Sequence, residues 1–384
     1  MRVTDDIHYA GVNDHDLDLF EGLYPVPDGV AYNSYMILDE KIAVMDAVDS
    51  RFGSIWLETV RQITEGRQPD FLIVHHMEPD HSASIALFMN AFPEAIIVSS
   101  AKAFPMMKAF FGEEYARRRM IVKEGDVLCL GKHTLSFIAA PMVHWPEVIM
   151  TYDQTDKVLF SADAFGKFGA LDIPAPWACE ARRYYFGIVG KYGVQVQTVL
   201  KKLSALDVQV ICPLHGPVLK DDALTEAFRL YDIWSSYQPE DQGVVIAVAS
   251  VYGNTRAAAE QLATSLQTQG QKVTLYDLSR CDLAEALEAA FRYDRLVLAA
   301  ATYNADVFPP MRQFLTWLSE RGFRNRTIGL IENGSWAPMA AKVMRGMMEG
   351  CKDITILEPV VHIQSSLNDD SLQELNALSA ALVK

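Results

Sequence analysis

Residues 71–84, FLIVHHMEPDHSAS, run four apolar residues into two histidines, a glutamate, an aspartate and a third histidine. Four apolar residues read as a buried strand, and in an extended chain leaving it residues i and i+2 project to the same side. His76 and Glu78 can therefore reach one ion, while His75 points the other way as a buried, hydrogen-bonded neighbour. Pro79 keeps Met77–Glu78 extended and stops the helix from starting early. Asp80 and His81 then stand at the mouth of the helix SASIALFMNAF, placed for a second ion. So many acidic and imidazole groups beside a hydrophobic strand are costly to bury without a cation, so the stretch is expected to hold metal.

Three further candidates stand at the ends of apolar runs, each before a turn residue: His144 in APMVHWPE, Asp163 in LFSADAFG and His215 in ICPLHGP. Taken singly, each reads more readily as a structural or surface residue. His8, His15, His133 and His362 have no comparable setting.

The 384 residues exceed what one core usually serves, which suggests two domains. Residues 1–240 mix short apolar strands, several joined only by turns, with helices such as FGSIWLETVRQITEG, where Ile55, Trp56, Thr59, Val60 and Ile63 form an apolar stripe. Sheets packed face to face with helices outside are expected there. From residue 241 strands and helices alternate strictly, and five nearly all-apolar strands read as a parallel sheet covered on both faces. YDIWSSYQPEDQG is rich in turn formers and places the boundary near Asp241.

Charge and cysteine usage exclude several classes. The net charge of −15 makes nucleic acid an improbable partner. It is concentrated in the first 240 residues, where 21 Lys and Arg face 33 Asp and Glu, against 13 and 16 in the remainder. No run approaches a membrane span, the start lacks a secretory pattern, and the five scattered cysteines form no CxxC pair. A reducing cytoplasm is the expected setting.

In the second half, ASVYGNTRAAAEQ (249–261) joins the first strand to its helix. Its hydroxyls and backbone N–H groups suit a phosphate at a helix N-terminus, but it has neither the Walker pattern nor GxGxxG. AATYNADVFPP and ENGSWAP follow at later strand ends, where open parallel sheets bind ligands, and Tyr303 and Trp336 are placed to flank a flat ring.

The order HxExDH, then a lone His, Asp and His at strand ends, resembles the metallo-β-lactamase fold, an αββα sandwich. Glu78 stands where the common hydrolases have histidine, and that exchange, with the three later loops, resembles the flavodiiron proteins (A-type flavoproteins) over essentially the whole chain. The resemblance implies a diiron domain over 1–240 and a flavodoxin-like, FMN-binding domain over 241–384. It implies that one iron takes His76, Glu78 and His144, that the second takes Asp80, His81 and His215, and that Asp163 bridges them, His81 being the ligand that varies within the family. By the same resemblance Ser250, Tyr252, Gly253, Asn254 and Thr255 hold the FMN phosphate. Thr302, Tyr303, Asn304, Asn333, Gly334, Ser335 and Trp336 line the isoalloxazine.

The implied activity is reduction of O2 to water, of NO to N2O, or of both. Rubredoxin or a reduced deazaflavin is the implied donor, and a head-to-tail homodimer, alone or paired into a tetramer, the implied assembly. Carboxylates favour ferric iron and suit a pair that gives up electrons. The alternative is a dinuclear zinc hydrolase with an appended flavodoxin-like domain, for which Glu78 and a fused redox cofactor are a poor match. Tyr24 and Tyr192 are candidate proton donors near the pocket. Arg312, Arg321, Arg324 and Arg326 form either a docking patch for an acidic donor or a solvated face; in the first case charge reversal at Arg324 and Arg326 slows reduction.

Overall fold

The computed structural model describes all of residues 1–384 and divides into two compact units, Met1–Tyr185 with Tyr192–Asp232, and Phe186–Lys191 with Ile233–Lys384. This division falls a few residues before Asp241, within the helix Asp221–Ser235. Asp241 itself opens the first strand of the parallel sheet, and we keep it as the proposed start of the flavin-binding domain.

The first unit contains two six-stranded sheets. One runs in the order Ile7–Tyr9, Tyr35–Ile37, Ala43–Met45, Phe71–Ile73, Ile96–Ser99 and Arg119–Ile121. The other runs Val127–Cys129, Thr134–Ala139, Ile149–Asp153, Val158–Phe160, Val210–Cys212 and Leu219–Lys220. Their facing residues share one core that includes Ile37, Met45, Ile73, Phe137, Ile149 and Phe160. Outer faces carry helices. Gly53–Thr64 buries Trp56, Leu57, Val60 and Thr64, so its stripe is rotated from the expected one and Ile55 is 60% exposed. The expected Ile55–Thr59–Ile63 row lies beside the packed row, on the side turned to water.

Small strand pairs near the N-terminus were not legible in the sequence: Val12–Asp14 with Val30–Tyr32, and Leu19–Phe20 with Tyr24–Pro25. Two or three residues are too few to show a period.

In the second unit the sheet order is Val273–Asp277, Asp241–Ala249, Tyr293–Tyr303, Arg326–Asn333, Ile354–Ile363, all parallel. The central strand Tyr293–Tyr303 and its neighbours are continuous apolar runs because helices cover both faces. Helices Asn254–Thr268 and Asp369–Leu382 seal one face through Leu262, Leu266, Leu375 and Leu378.

The four arginines do not share one setting: Arg312 is exposed, Arg321 and Arg324 are half-buried and Arg326 is buried. Arg326 is buried and donates to the carbonyls of Tyr237 (2.9 Å), Arg324 (3.0 Å), Asn325 (3.0 Å) and Phe291. Arg324 lies over the Tyr237 ring at 4.1 Å, Arg321 over Trp317 at 5.0 Å, and Arg312 pairs with Asp306. Charge reversal at Arg326 would thus act on folding before it could act on any partner.

His133 gives this fold a pH dependence. It is buried, with one ring nitrogen 2.9 Å from Asp153 and the other 3.2 Å from Asp6, tying the Thr134–Ala139 strand to the N-terminal segment. Burial disfavours its charge, but the two carboxylates prevail and push its pKa up from 6.5 to about 9. A raised value means that the stabilisation is complete below pH 6.5 and is lost as pH rises through about 9. Urea denaturation should show stability falling by roughly 2–3 kcal/mol across that window, and His133→Gln should flatten the fall.

Candidate metal centre and flavin cleft

All seven expected metal-ligating residues converge at the strand ends of the first unit. His76 leaves the strand Phe71–Ile73, and Glu78 is the extended residue before the short helix Pro79–Ser82, whose first position is the proline. Asp80 and His81 come from that helix, and His144, Asp163 and His215 from loops after the strands Thr134–Ala139, Val158–Phe160 and Val210–Cys212.

They form two groups. Ligand atoms of His76, Glu78, His144 and Asp163 lie within 4.8 Å of one another, as do those of Asp80, His81 and His215. The Nε2 atoms of His81 and His215 face each other at 2.9 Å, and those of His76 and His144 at 3.3 Å. Asp163 addresses both groups: Oδ2 is 3.0 Å from His144 and 3.4 Å from His76, while Oδ1 is 3.5 Å from His81. Both Asp80 oxygens and Asp163 Oδ1 are buried with no hydrogen-bond partner.

Unpartnered buried carboxylate oxygens and imidazole lone pairs aimed at each other are what a shared cation resolves. The donor set of nitrogen and oxygen, without sulfur, fits two divalent ions of the iron or zinc type. Burial opposes charge on His76, but Asp163, Glu147 and Glu78 raise its pKa well above the ordinary imidazole range. Burial likewise opposes ionisation of Asp163, and the surrounding imidazoles hold its pKa well below the carboxylate range. The ligands thus already sit in their mutual field.

A further layer fixes the rings. Glu147 Oε1 accepts from His76 Nδ1 and from the Met77 N–H, both at 2.9 Å, and His215 Nδ1 donates to the Ala31 carbonyl at 2.8 Å. Each bond commits the opposite nitrogen, Nε2, to the ion. His75 pairs with Asp46 and lies 2.8 Å from Thr151 Oγ1, the buried neighbour expected of it.

Tyr24 is buried against Phe168, at 5.9 Å between centroids, and Tyr192 is half-buried at the start of the helix Gly193–Leu203. Tyr184 lies in the field of all three acidic ligands, with a buried hydroxyl that has no hydrogen-bond partner and a ring 5.4 Å from His215. Burial, then the charges of Asp163, Glu78 and Asp80, raise its pKa well above that of ordinary tyrosine. The run ARRYYFG containing it has no turn or motif signal that could have singled it out.

In the second unit a cleft of about 500 Å³ opens at the carboxyl ends of the strands. Every flavin-binding residue expected there lines it except Gly253, which precedes the helix Asn254–Thr268 with a left-handed φ of 93°. Ser250 Oγ accepts the Gly253 N–H at 3.1 Å, closing the loop around the helix N-terminus. Thr302 Oγ1 accepts the N–H groups of Met339 and Ala340 at 3.0 and 3.2 Å, which orders the segment carrying Ser335 and Trp336. Ser365 was not expected, yet it lines the cleft and bonds Asn333 and Ser335. No Lys, Arg, His, Asp or Glu lines the cleft, so a phosphate there is held by hydroxyls, amides and the helix end. Tyr252 and Trp336 are 93% and 83% exposed beside it, aromatic faces suited to a flat ring.

Comparison with known proteins gives the same two-part picture. Residues 30–216 match the family model described as ODP family beta lactamase, and residues 246–373 match Flavodoxin. The chain is 27% identical to the nitric oxide reductase of Moorella thermoacetica, covering 97% of this chain and 95% of that one. It is also 27% identical to the rubredoxin-oxygen oxidoreductase of Megalodesulfovibrio gigas, covering 91% and 89%. Among solved structures, rubredoxin oxygen:oxidoreductase of Desulfovibrio gigas superposes with a TM-score of 0.92 at 24% identity, covering 100% of this chain and 98% of that one. The flavodiiron protein of Giardia intestinalis gives 0.90 at 24% identity, covering 99% and 96%. At these identities the likeness establishes the fold: a β-lactamase-like sandwich followed by a flavodoxin-like domain.

The Glu147–His76 bond carries a prediction. Glu147→Gln keeps the shape but loses the charge that orders the ring, and should weaken Co2+ or Zn2+ binding roughly 10–100-fold in a chelator competition. Unchanged affinity would mean that the bond does not act on the metal.

Proposed function

Because the chain belongs to the flavodiiron, or A-type flavoprotein, family, we propose that it is an oxidoreductase that reduces O2 to water, NO to N2O, or both. The observation that carries the reading is Glu78 among the ligands: with Asp80 and Asp163 it supplies three carboxylates beside four imidazoles. Bound FMN would supply one electron at a time, and a bound iron pair would supply the redox step that zinc lacks. A dinuclear zinc hydrolase is the weaker reading, since the relatives compared are named for redox reactions.

In this reading His76, Glu78 and His144 hold one iron, Asp80, His81 and His215 the other, and Asp163 bridges. Glu147 and the Ala31 carbonyl fix the rings of His76 and His215, so the ligand nitrogens need no reorientation when metal binds. The rings of Phe20, Tyr32 and Tyr184 pack around His215 at 5.4, 6.2 and 5.4 Å and keep bulk water from that side. Tyr184 keeps its proton at Oη, in a buried hydroxyl on a ring 5.4 Å from His215. In the other domain Ser250, Gly253 and the helix N-terminus orient the phosphate, and Tyr252, Tyr303 and Trp336 present faces to the ring.

The donor and assembly belong to the same proposal. The name of the Megalodesulfovibrio relative supports rubredoxin, and a reduced deazaflavin is the second candidate. A head-to-tail homodimer, or a pair of them, is supported by the exposure of Tyr252 and Trp336 beside the cleft, since large exposed aromatics suit a contact surface. No helix is long and apolar enough to cross a membrane. A cytoplasmic setting is supported by five cysteines that are all unpaired.

Stopped-flow mixing tests the activity. Protein carrying FMN and Fe2+, photoreduced without oxygen, should be reoxidised by dissolved O2 or NO at least about tenfold faster than the same protein carrying Zn2+. Equal rates for the two metals with both gases would contradict the proposal.

A further inference from the structure

His215 stands in loop 213–216, directly after the strand Val210–Cys212 of one sheet, yet what holds that loop comes from across the sandwich. Asn33 lies fully buried between the strands Val30–Tyr32 and Tyr35–Ile37. Its Nδ2 donates to the carbonyls of Pro213 at 2.8 Å and Gly216 at 2.7 Å, one on each side of the ligand. Its backbone N–H donates to the Leu214 carbonyl between them, at 2.8 Å. Oδ1 accepts from the Tyr9 hydroxyl at 3.0 Å, so two carbonyls and a hydroxyl fix which way the amide faces. The Tyr35 hydroxyl adds a second donor to the Pro213 carbonyl at 2.9 Å.

The same stretch holds the ring, because the Ala31 carbonyl accepts from His215 Nδ1 at 2.8 Å. Backbone and imidazole of this one ligand are therefore both referred to residues 31–33. The other imidazole of its group lacks such support: His81 Nδ1 is buried with no hydrogen-bond partner. In the other group His76 is fixed by Glu147 and makes no bond to Asn33.

We propose that Asn33 is a positioning residue for one of the two ions: by gripping both sides of the His215 loop it sets the affinity of the Asp80, His81 and His215 group for its cation. The inference rests on the metal reading above. With His81 unanchored, the aim of this group depends on His215, and groups that orient a ligand act on metal affinity nearly as the ligands do. The effect belongs to one ion, which distinguishes it from a general loosening of the fold.

Titration of the metal-stripped, FMN-containing full chain with Co2+ tests this, read from the cobalt absorption bands. H215A marks the band of the ion concerned, since it removes a ligand of that group alone. In N33L, close in shape but without donors, that ion should bind at least about tenfold more weakly, and the other should change by less than about threefold. N33L leaves the backbone bonds of the loop in place, including the Leu214 N–H on the Ala162 carbonyl at 2.9 Å. Y35F, which removes one donor from the Pro213 carbonyl, should weaken the same ion about threefold or more, and it decides the matter if N33L does not fold. Equal weakening of both ions, or affinities within about twofold of wild type in both variants, would overturn the proposal. If wild-type chain took up no cobalt, the metal reading would fall and the proposal with it, which separates that failure from failure of the Asn33 clamp alone.

Discussion

Three carboxylates, two buried and Asp80 half-buried, and four buried imidazoles sit at the ends of strands in one sandwich, with two pairs of ring nitrogens pointed at each other. Isolated, such a cluster is unfavourable, since each charge loses its water and several oxygens have no partner. The surrounding fold is what holds these groups together against that cost. Two sheets supply a shared apolar core, and the loops at one end inherit their positions from the strands beneath. The cluster is stable as a unit only when cations offset it, and that links folding of the first unit to metal.

The loops carry the mark of that demand. Asp46, Met142 and Ala162 all have positive φ (55°, 64° and 52°), in a region that side-chain-bearing residues seldom occupy. Asp46 pairs with His75, Met142 lies two residues before His144, and Ala162 immediately precedes Asp163. Local strain at the positions that aim the ligands is tolerated because the strands before them are fully packed. The flavin cleft uses a different solution. There the aim is set by backbone amides and hydroxyls, which need no charge and tolerate solvent.

Much of this was legible in the sequence because the chemistry is concentrated. HxExDH declares itself in six residues, and a strand–helix alternation from Asp241 onward cannot be read as anything but a parallel sheet. Residues that act through geometry were not legible. Tyr184 lies in an ordinary helix, and Glu147 owes its role to a loop that folds back on His76. Arg326 is a further case: its spacing with Arg312, Arg321 and Arg324 suggests one exposed group, whereas it spends donors on buried carbonyls. His133 was set aside because neither Asp6 nor Asp153 is near it in sequence. Sequence reports what a residue is; only packing reports which distant groups it meets.

The central claim is the identity of what fills the two sites, and metal and flavin content per chain test it most directly. Protein made without oxygen and with iron supplied should contain two irons and one FMN per chain, as the two ligand groups and the single cleft require. Two zincs under those conditions would contradict the account, because Glu78 would then be a ligand without redox consequence and the hydrolase reading would take its place.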